Sequence, residues 1–191
     1  MTKVRTFVAV ELAGSVKKRA AAAIKQLEIA EAKVAWVRPE NMHLTLKFLG
    51  DVPDNELNDV CRAVSKAVAS IEPFEMVFRG CGAFPSVDRP RTIWLGVDQG
   101  HDEATELQTA VDESLKTLRF PKETRRFQPH LTLGRVHEHN HGRLDELSKL
   151  VENLRDYDGD LTVVDEVVVF ASFLGRGGPT YEPLGHCELG G

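Results

Sequence analysis

Two histidines, each followed by the same three residues, are the groups in this 191-residue chain best suited to chemistry: His43-Leu44-Thr45-Leu46 and His130-Leu131-Thr132-Leu133. In an extended strand successive side chains alternate between faces, so each copy puts a histidine and a threonine on one face and two leucines on the other. The leucines anchor the strand and the polar pair faces a cavity. Histidine titrates near neutrality, so one imidazole can accept a proton while a second, charged one donates. Threonine hydroxyls can bond the non-bridging oxygens of a phosphate, and a nearby cation can offset charge developing on phosphorus. The set suits phosphodiester cleavage: a base deprotonates the attacking hydroxyl or water, and an acid protonates the departing oxygen. One such histidine would ordinarily be structural, but packing alone has no need for the polar face to read His then Thr twice.

Two cations could join the histidines. Lys47 lies four residues after His43 and shares its face if the strand is regular. Arg135 lies five after His130, on the opposite face unless a bulge intervenes, which would be easiest at Gly134. Arg135 also closes a basic stretch, with Arg119, Lys122, Arg125 and Arg126, around the second motif. His137, His139 and His141 alternate and raise the possibility of a metal. Structural zinc normally takes four ligands, and no cysteine or carboxylate pattern completes this set, so a solvated loop is the expectation and no metal is assigned. His101 and His186 receive no role. No G-x-x-x-x-G-K-[ST] loop is present, in keeping with a site that needs no nucleotide cofactor.

The elements that must position these groups follow from hydrophobic period. Val4 to Leu12 alternates as a strand; from Ser15 a helix places Val16, Ala20, Ile24 and Leu27 on one stripe. Val34 to Val37 is a short strand, Arg38 to Asn41 a turn at Pro39, and His43 to Leu49 the first motif strand, ended by Gly50. A helix should begin around Asp51-Val52-Pro53-Asp54. Phe74 to Phe84 and Thr92 to Val97 read as a hairpin with a long loop from Pro85 to Pro90. Asp102 to Leu118 is helical, His130 to Val136 is the second motif strand, and Arg143 to Leu154 is another helix. Leu161 to Phe173 is one bent strand or two, and Tyr181 to Cys187 is the last strand. Motif strand, amphipathic helix and β-rich segment recur in that order, which suggests an internal duplication packed as two lobes of a single domain spanning residues 1–191.

Composition sets outer limits. A hydrophobic fraction of 42 % and a charged fraction of 28 % are ordinary for a soluble globular protein. The net charge of −5 weighs against wrapping long nucleic acid, though a nucleic-acid end remains open. The N-terminal stretch is too briefly apolar for a signal peptide and no stretch approaches a membrane span, so a cytoplasmic protein without membrane contact is expected. Cys61, Cys81 and Cys187 are expected as reduced thiols in or near the core.

The motifs resemble a known family. Trp36-Val37-Arg38-Pro39-Glu40-Asn41 before His43-Leu44-Thr45-Leu46-Lys47-Phe48-Leu49-Gly50, and Arg126-Phe127-Gln128-Pro129 before His130-Leu131-Thr132-Leu133-Gly134-Arg135, resemble the paired His-x-Thr-x motifs of the two-histidine phosphoesterases. Within that superfamily the chain is most similar to the bacterial and archaeal RNA 2′,3′-cyclic phosphodiesterases, formerly called 2′-5′ RNA ligases. Gly82-Ala83-Phe84-Pro85, Pro90 to Val97 and Gly178-Pro179-Thr180-Tyr181 support the likeness. The resemblance implies an α+β fold: two pseudo-symmetric lobes of antiparallel sheet, with flanking helices, around a central cleft. It implies hydrolysis of an RNA 2′,3′-cyclic phosphate end, or a cyclic nucleotide, to a 2′-phosphomonoester, with His43 as proton donor and His130 as acceptor. Thr45, Thr132 and Arg135 would hold phosphate, with Lys47 a further cation, and Phe127 could stack on the terminal base. A 5′-hydroxyl in place of water would give reversible 2′-5′ ligation. No metal, cofactor or obligatory protein partner is implied, and a monomer is expected. Two alternatives stand beside this reading: an RNA-end binding module without turnover, and a two-histidine enzyme acting on another cyclic phosphate.

Overall fold

The computed structural model describes residues 2–138, 144–175 and 177–190. In chain order it contains β1 (Lys3–Glu11), α1 (Gly14–Leu27), β2 (Val34–Trp36), β3 (His43–Pro53), α2 (Leu57–Val68), β4 (Phe74–Ser86), β5 (Arg89–Gln99), α3 (His101–Lys116), β6 (His130–Val136), α4 (Leu144–Asn153), β7 (Asp158–Val164), β8 (Glu166–Gly175) and β9 (Gly178–Glu188). The strands form two antiparallel sheets, ordered β3-β1-β8-β9 and β2-β6-β5-β4-β7. Helix α2 covers the first sheet at β9 and α3 covers it at β3; α1 and α4 cover the second along β7, β4 and β5. The α+β, two-lobed expectation therefore holds.

The lobes are not the two halves of the sequence. The first sheet takes β1 and β3 from the N-terminal end and β8 and β9 from the C-terminal end, whereas the second takes β4 to β7 from the middle, with β2 at its edge. After each motif the chain crosses over: β4 leaves to pair with β5, and β8 returns to pair with β1. Asp165 alone separates β7 from β8, so the long β-rich run divides there and each part enters a different sheet.

Local patterning accounts for the main elements. On α1, Val16, Ala20, Ala23, Ile24 and Leu27 are buried at helical spacing. The four motif leucines, Leu44, Leu46, Leu131 and Leu133, are at most 4 % exposed, and each such burial contributes about 1.5–3 kcal/mol. Both strands are thus pinned to the core from one side. A separate small apolar cluster, Phe7, Ala9, Val168 and Phe170 with Tyr181 against it, occupies the other face of the first sheet. These residues alternate with Val8, Val10, Val167 and Val169, which point into the main core.

Two boundaries differ from expectation. Gly50 does not end β3. It takes φ +71° where the register against β1 shifts, and pairing continues to Lys3↔Pro53; a single 3-10 turn at Asp54–Glu56 then precedes α2. The hairpin loop is also shorter than its prolines suggest, because Pro85↔Pro90 and Ser86↔Arg89 still pair and leave Val87 and Asp88 as the turn. That tip projects beyond the residues paired to β7 and β6, so a proline there removes no other ladder bond.

Candidate active site

Strands β3 and β6 lie against each other where the lobes meet. His43 and Thr45 on β3, and His130 and Thr132 on β6, are half-buried on the faces opposite the leucines. Neither threonine hydroxyl is engaged by another group among the described residues, which leaves both free for a ligand. The Nδ1 of His130 lies 2.7 Å from the Gln128 carbonyl oxygen, so this nitrogen carries the proton and donates it, leaving Nε2 with the lone pair in the neutral ring.

Both rings resist charging. Burial lowers His43 to about 4, opposed by the Asn41 backbone and reinforced by the positive charge of Lys17. Burial also lowers His130, opposed by Gln128 and reinforced by Arg135. The walls around them are aromatic. The His43 ring centroid is 4.8 Å from Phe7 and 5.2 Å, edge-on, from Tyr181. His130 meets Phe84 edge-on at 5.1 Å. Burial raises the Tyr181 hydroxyl, and the positive charges of Arg135 and Arg5 pull it back.

The two cations exchange their expected places, and β-bulges are the reason. In β6, Thr132 pairs with Trp94 but Gly134 with Ile93, so Leu133 is an extra residue. Leu133 and Gly134 are both buried, the phase flips, and Arg135 emerges exposed on the histidine's face. A side chain at Gly134 would meet Trp36 and Val34 at 2.6 and 2.7 Å, so only glycine fits where the bulge is pressed against β2. In β3 the same bulge falls at Leu46, between the pairs Ala9↔Thr45 and Val8↔Lys47. It turns Lys47 inward, which overturns the expectation that Lys47 shares the His43 face. Lys47 is 7 % exposed, pairs with Asp112 of α3, and donates to the Pro121 carbonyl at 2.7 Å. Phe48, 65 % exposed, takes the outward position instead.

Phe127 is half-buried against the main core and makes no ring contact with either histidine among the described residues. The aromatic contacts come from Phe7, Tyr181 and Phe84, and the only local signal for them was that Phe84 and Tyr181 sit in the short segments that supported the resemblance. Lys17 carried no motif signal at all. Among the described residues no group of histidines, cysteines and carboxylates is arranged to hold a metal; His139 and His141 lie outside them. No helix among them is long and apolar enough to cross a membrane, and the three cysteines are free thiols.

Each of two antiparallel sheets presents a His-x-Thr face at their junction. The chain belongs to the family described as LigT like Phosphoesterase, whose model matches it twice, over residues 10–94 and 95–181. It is 36 % identical to the RNA 2′,3′-cyclic phosphodiesterase of Methanothermobacter thermautotrophicus, over 95 % of this chain and 97 % of that one. It is 33 % identical to the protein of that name from Thermotoga maritima, over 98 % and 96 % of the two chains. Among solved structures, TT0787 of Thermus thermophilus superposes with a TM-score of 0.81 at 26 % identity, covering 98 % of each chain. The Escherichia coli LigT structure complexed with 3′-AMP gives 0.78 at 23 % identity, again over 98 % of each, a likeness of fold.

Proposed function

We propose that this protein hydrolyses the 2′,3′-cyclic phosphate at an RNA end to a 2′-phosphomonoester, using its two histidines as acid and base without a metal. The observation that carries the reading is the matched pair of His-x-Thr faces, each with an unengaged hydroxyl. His130, its Nδ1–H tied to Gln128, offers the Nε2 lone pair as base and takes a proton from water as the water oxygen bonds to phosphorus. The bond from phosphorus to O3′ breaks, and His43 gives that oxygen its proton. Burial holds His43 neutral near pH 7, and a phosphate anion bound beside it would raise its affinity for the proton it must donate. Thr45, Thr132 and Arg135 hold the non-bridging oxygens. Phe127, packed against the core, is a weaker candidate for base stacking than Phe7, Phe84 or Tyr181, whose rings line the histidines.

An RNA 5′-hydroxyl in place of water would form a 2′-5′ linkage at the same site. We read the chain as one two-lobed domain with an internal duplication, working as a cytoplasmic monomer; the three free thiols suit a reducing compartment. The decisive experiment offers 2′,3′-cyclic mononucleotides, cyclic-phosphate-ended oligonucleotides and 2′-5′-linked RNA, with and without chelator, and identifies the product phosphate. A 2′-phosphate formed equally well after exhaustive chelation is expected. Turnover lost to chelation and restored by zinc would overturn the metal-free mechanism.

A further inference from the structure

Each histidine has one principal cationic neighbour, but the two cations come from different places. For His130 it is Arg135, five residues along the same strand; five residues after His43 the chain has Phe48. The positive charge that acts on His43 comes from Lys17 on α1.

The route of the chain explains why Lys17 arrives there. Glu11, the last residue of β1, pairs directly with His43. Two residues on, Ala13 caps α1, and the Lys17 amide makes a first-turn bond to the Ala13 carbonyl at 3.1 Å. The helix also packs against the Pro39–Asn41 turn that leads into His43. Thirty residues separate the helix cap from the motif histidine in both copies, Ala13 to His43 and Gly100 to His130. At that common spacing the counterpart of Lys17 is Ala104, 1 % exposed and without charge. One copy therefore places its cation on the helix, the other on the strand.

Lys17 is half-buried and forms no ion pair or side-chain hydrogen bond among the described residues. Such an ammonium disfavours the charged imidazole that proton donation requires, unless an anion lies between the two. Other charged or titratable groups on this side include Arg38 and Glu40 at the turn that α1 packs against, Glu11 opposite His43, Tyr181 against its ring, and Arg5 and Arg135 acting on Tyr181. We propose that Lys17 is a substrate-binding residue whose ammonium holds a phosphate oxygen on the His43 side of the cleft, as Arg135 does on the His130 side. This rests on the phosphoesterase reading above.

The test compares Lys17→Met, which keeps most of the apolar stem, with Lys17→Arg. Lys17→Met is expected to lower kcat/KM for 2′,3′-cyclic AMP roughly ten- to hundredfold and to weaken inorganic phosphate binding in calorimetry by a similar factor, while Lys17→Arg stays within about threefold of wild type. Removing the like charge should also move the His43 limb of the pH profile upward. Wild-type turnover and phosphate affinity in Lys17→Met would overturn the assignment. So would equal losses in both variants with an unmoved pH profile, the mark of a structural role. If the wild type hydrolyses no cyclic phosphate yet binds inorganic phosphate through Lys17, the catalytic reading fails and the Lys17 assignment stands.

Discussion

Strands β3 and β6 repeat the same four residues and the same bulge, yet use the bulge for opposite ends. In β6 it carries Arg135 out to the histidine's face and seats Gly134 against Trp36. In β3 it carries Lys47 inward, where the ammonium meets Asp112, the Pro121 carbonyl and the core beneath α3. Asp112 also accepts from the Glu123 amide at 3.2 Å, so this buried pair ties the first motif strand to the loop that leads into the second motif. A shared backbone irregularity thus presents an exposed cation on the histidine's face in one lobe and sets a brace in the other. The lesson is that a repeated motif sets where side chains can go, while the identity at each place decides what they do.

The largest effects should fall where the copies agree. His43→Ala and His130→Ala are each expected to reduce kcat on a 2′,3′-cyclic nucleotide by about 10²–10⁴-fold with the thermal midpoint kept. Near-wild-type turnover in either would break the acid–base pairing. Next, Asp112→Ala strands a buried lysine and should destabilise the fold by about 3–5 kcal/mol in chemical denaturation. The double change Lys47→Met with Asp112→Leu removes both charges and should recover most of that loss. If Asp112→Ala instead cost turnover and no stability, Lys47 would belong with the substrate ligands after all.

Arg135→Ala should lower kcat/KM roughly ten- to hundredfold, and Phe48→Ala, at the matching place, only a few-fold. Equal losses would mean the bulge and not the charge matters.

The pH profile sharpens the comparison further. Both imidazoles titrate below the usual value of 6.5, His43 near 4, so the free enzyme above pH 6.5 holds both rings neutral. The proposed acid–base pairing needs one of them charged. The expected kcat/KM is therefore greatest below pH 6.5 and falls about tenfold per unit above it, while kcat is displaced to higher pH by the bound anion. A flat profile from pH 5 to 8 would contradict paired histidines. The smallest effect concerns stability. A lowered folded value means the unfolded chain takes up the proton first, so the contribution of neutral His43 is complete above pH 6.5 and declines as pH falls toward 4. Denaturation midpoints should drop less over that window in His43→Asn than in wild type.

The sequence by itself determined the two His-x-Thr faces, their leucine anchors, the strand and helix order and the α+β class. These rest on alternation and helical period, which a chain displays locally. It also pointed to Gly134 as the place where a bulge could bring Arg135 round. Tertiary structure alone decided the rest. That Lys47 turns inward depends on a register shift against β1, and nothing in its neighbours' types announces one. That lobes differ from halves depends on which strands β4 and β8 pair with. Lys17, Tyr181 and Phe84 reach the histidines from sequence-distant elements, because a cleft is assembled by sheet pairing and helix placement, whereas a motif reports only its own strand.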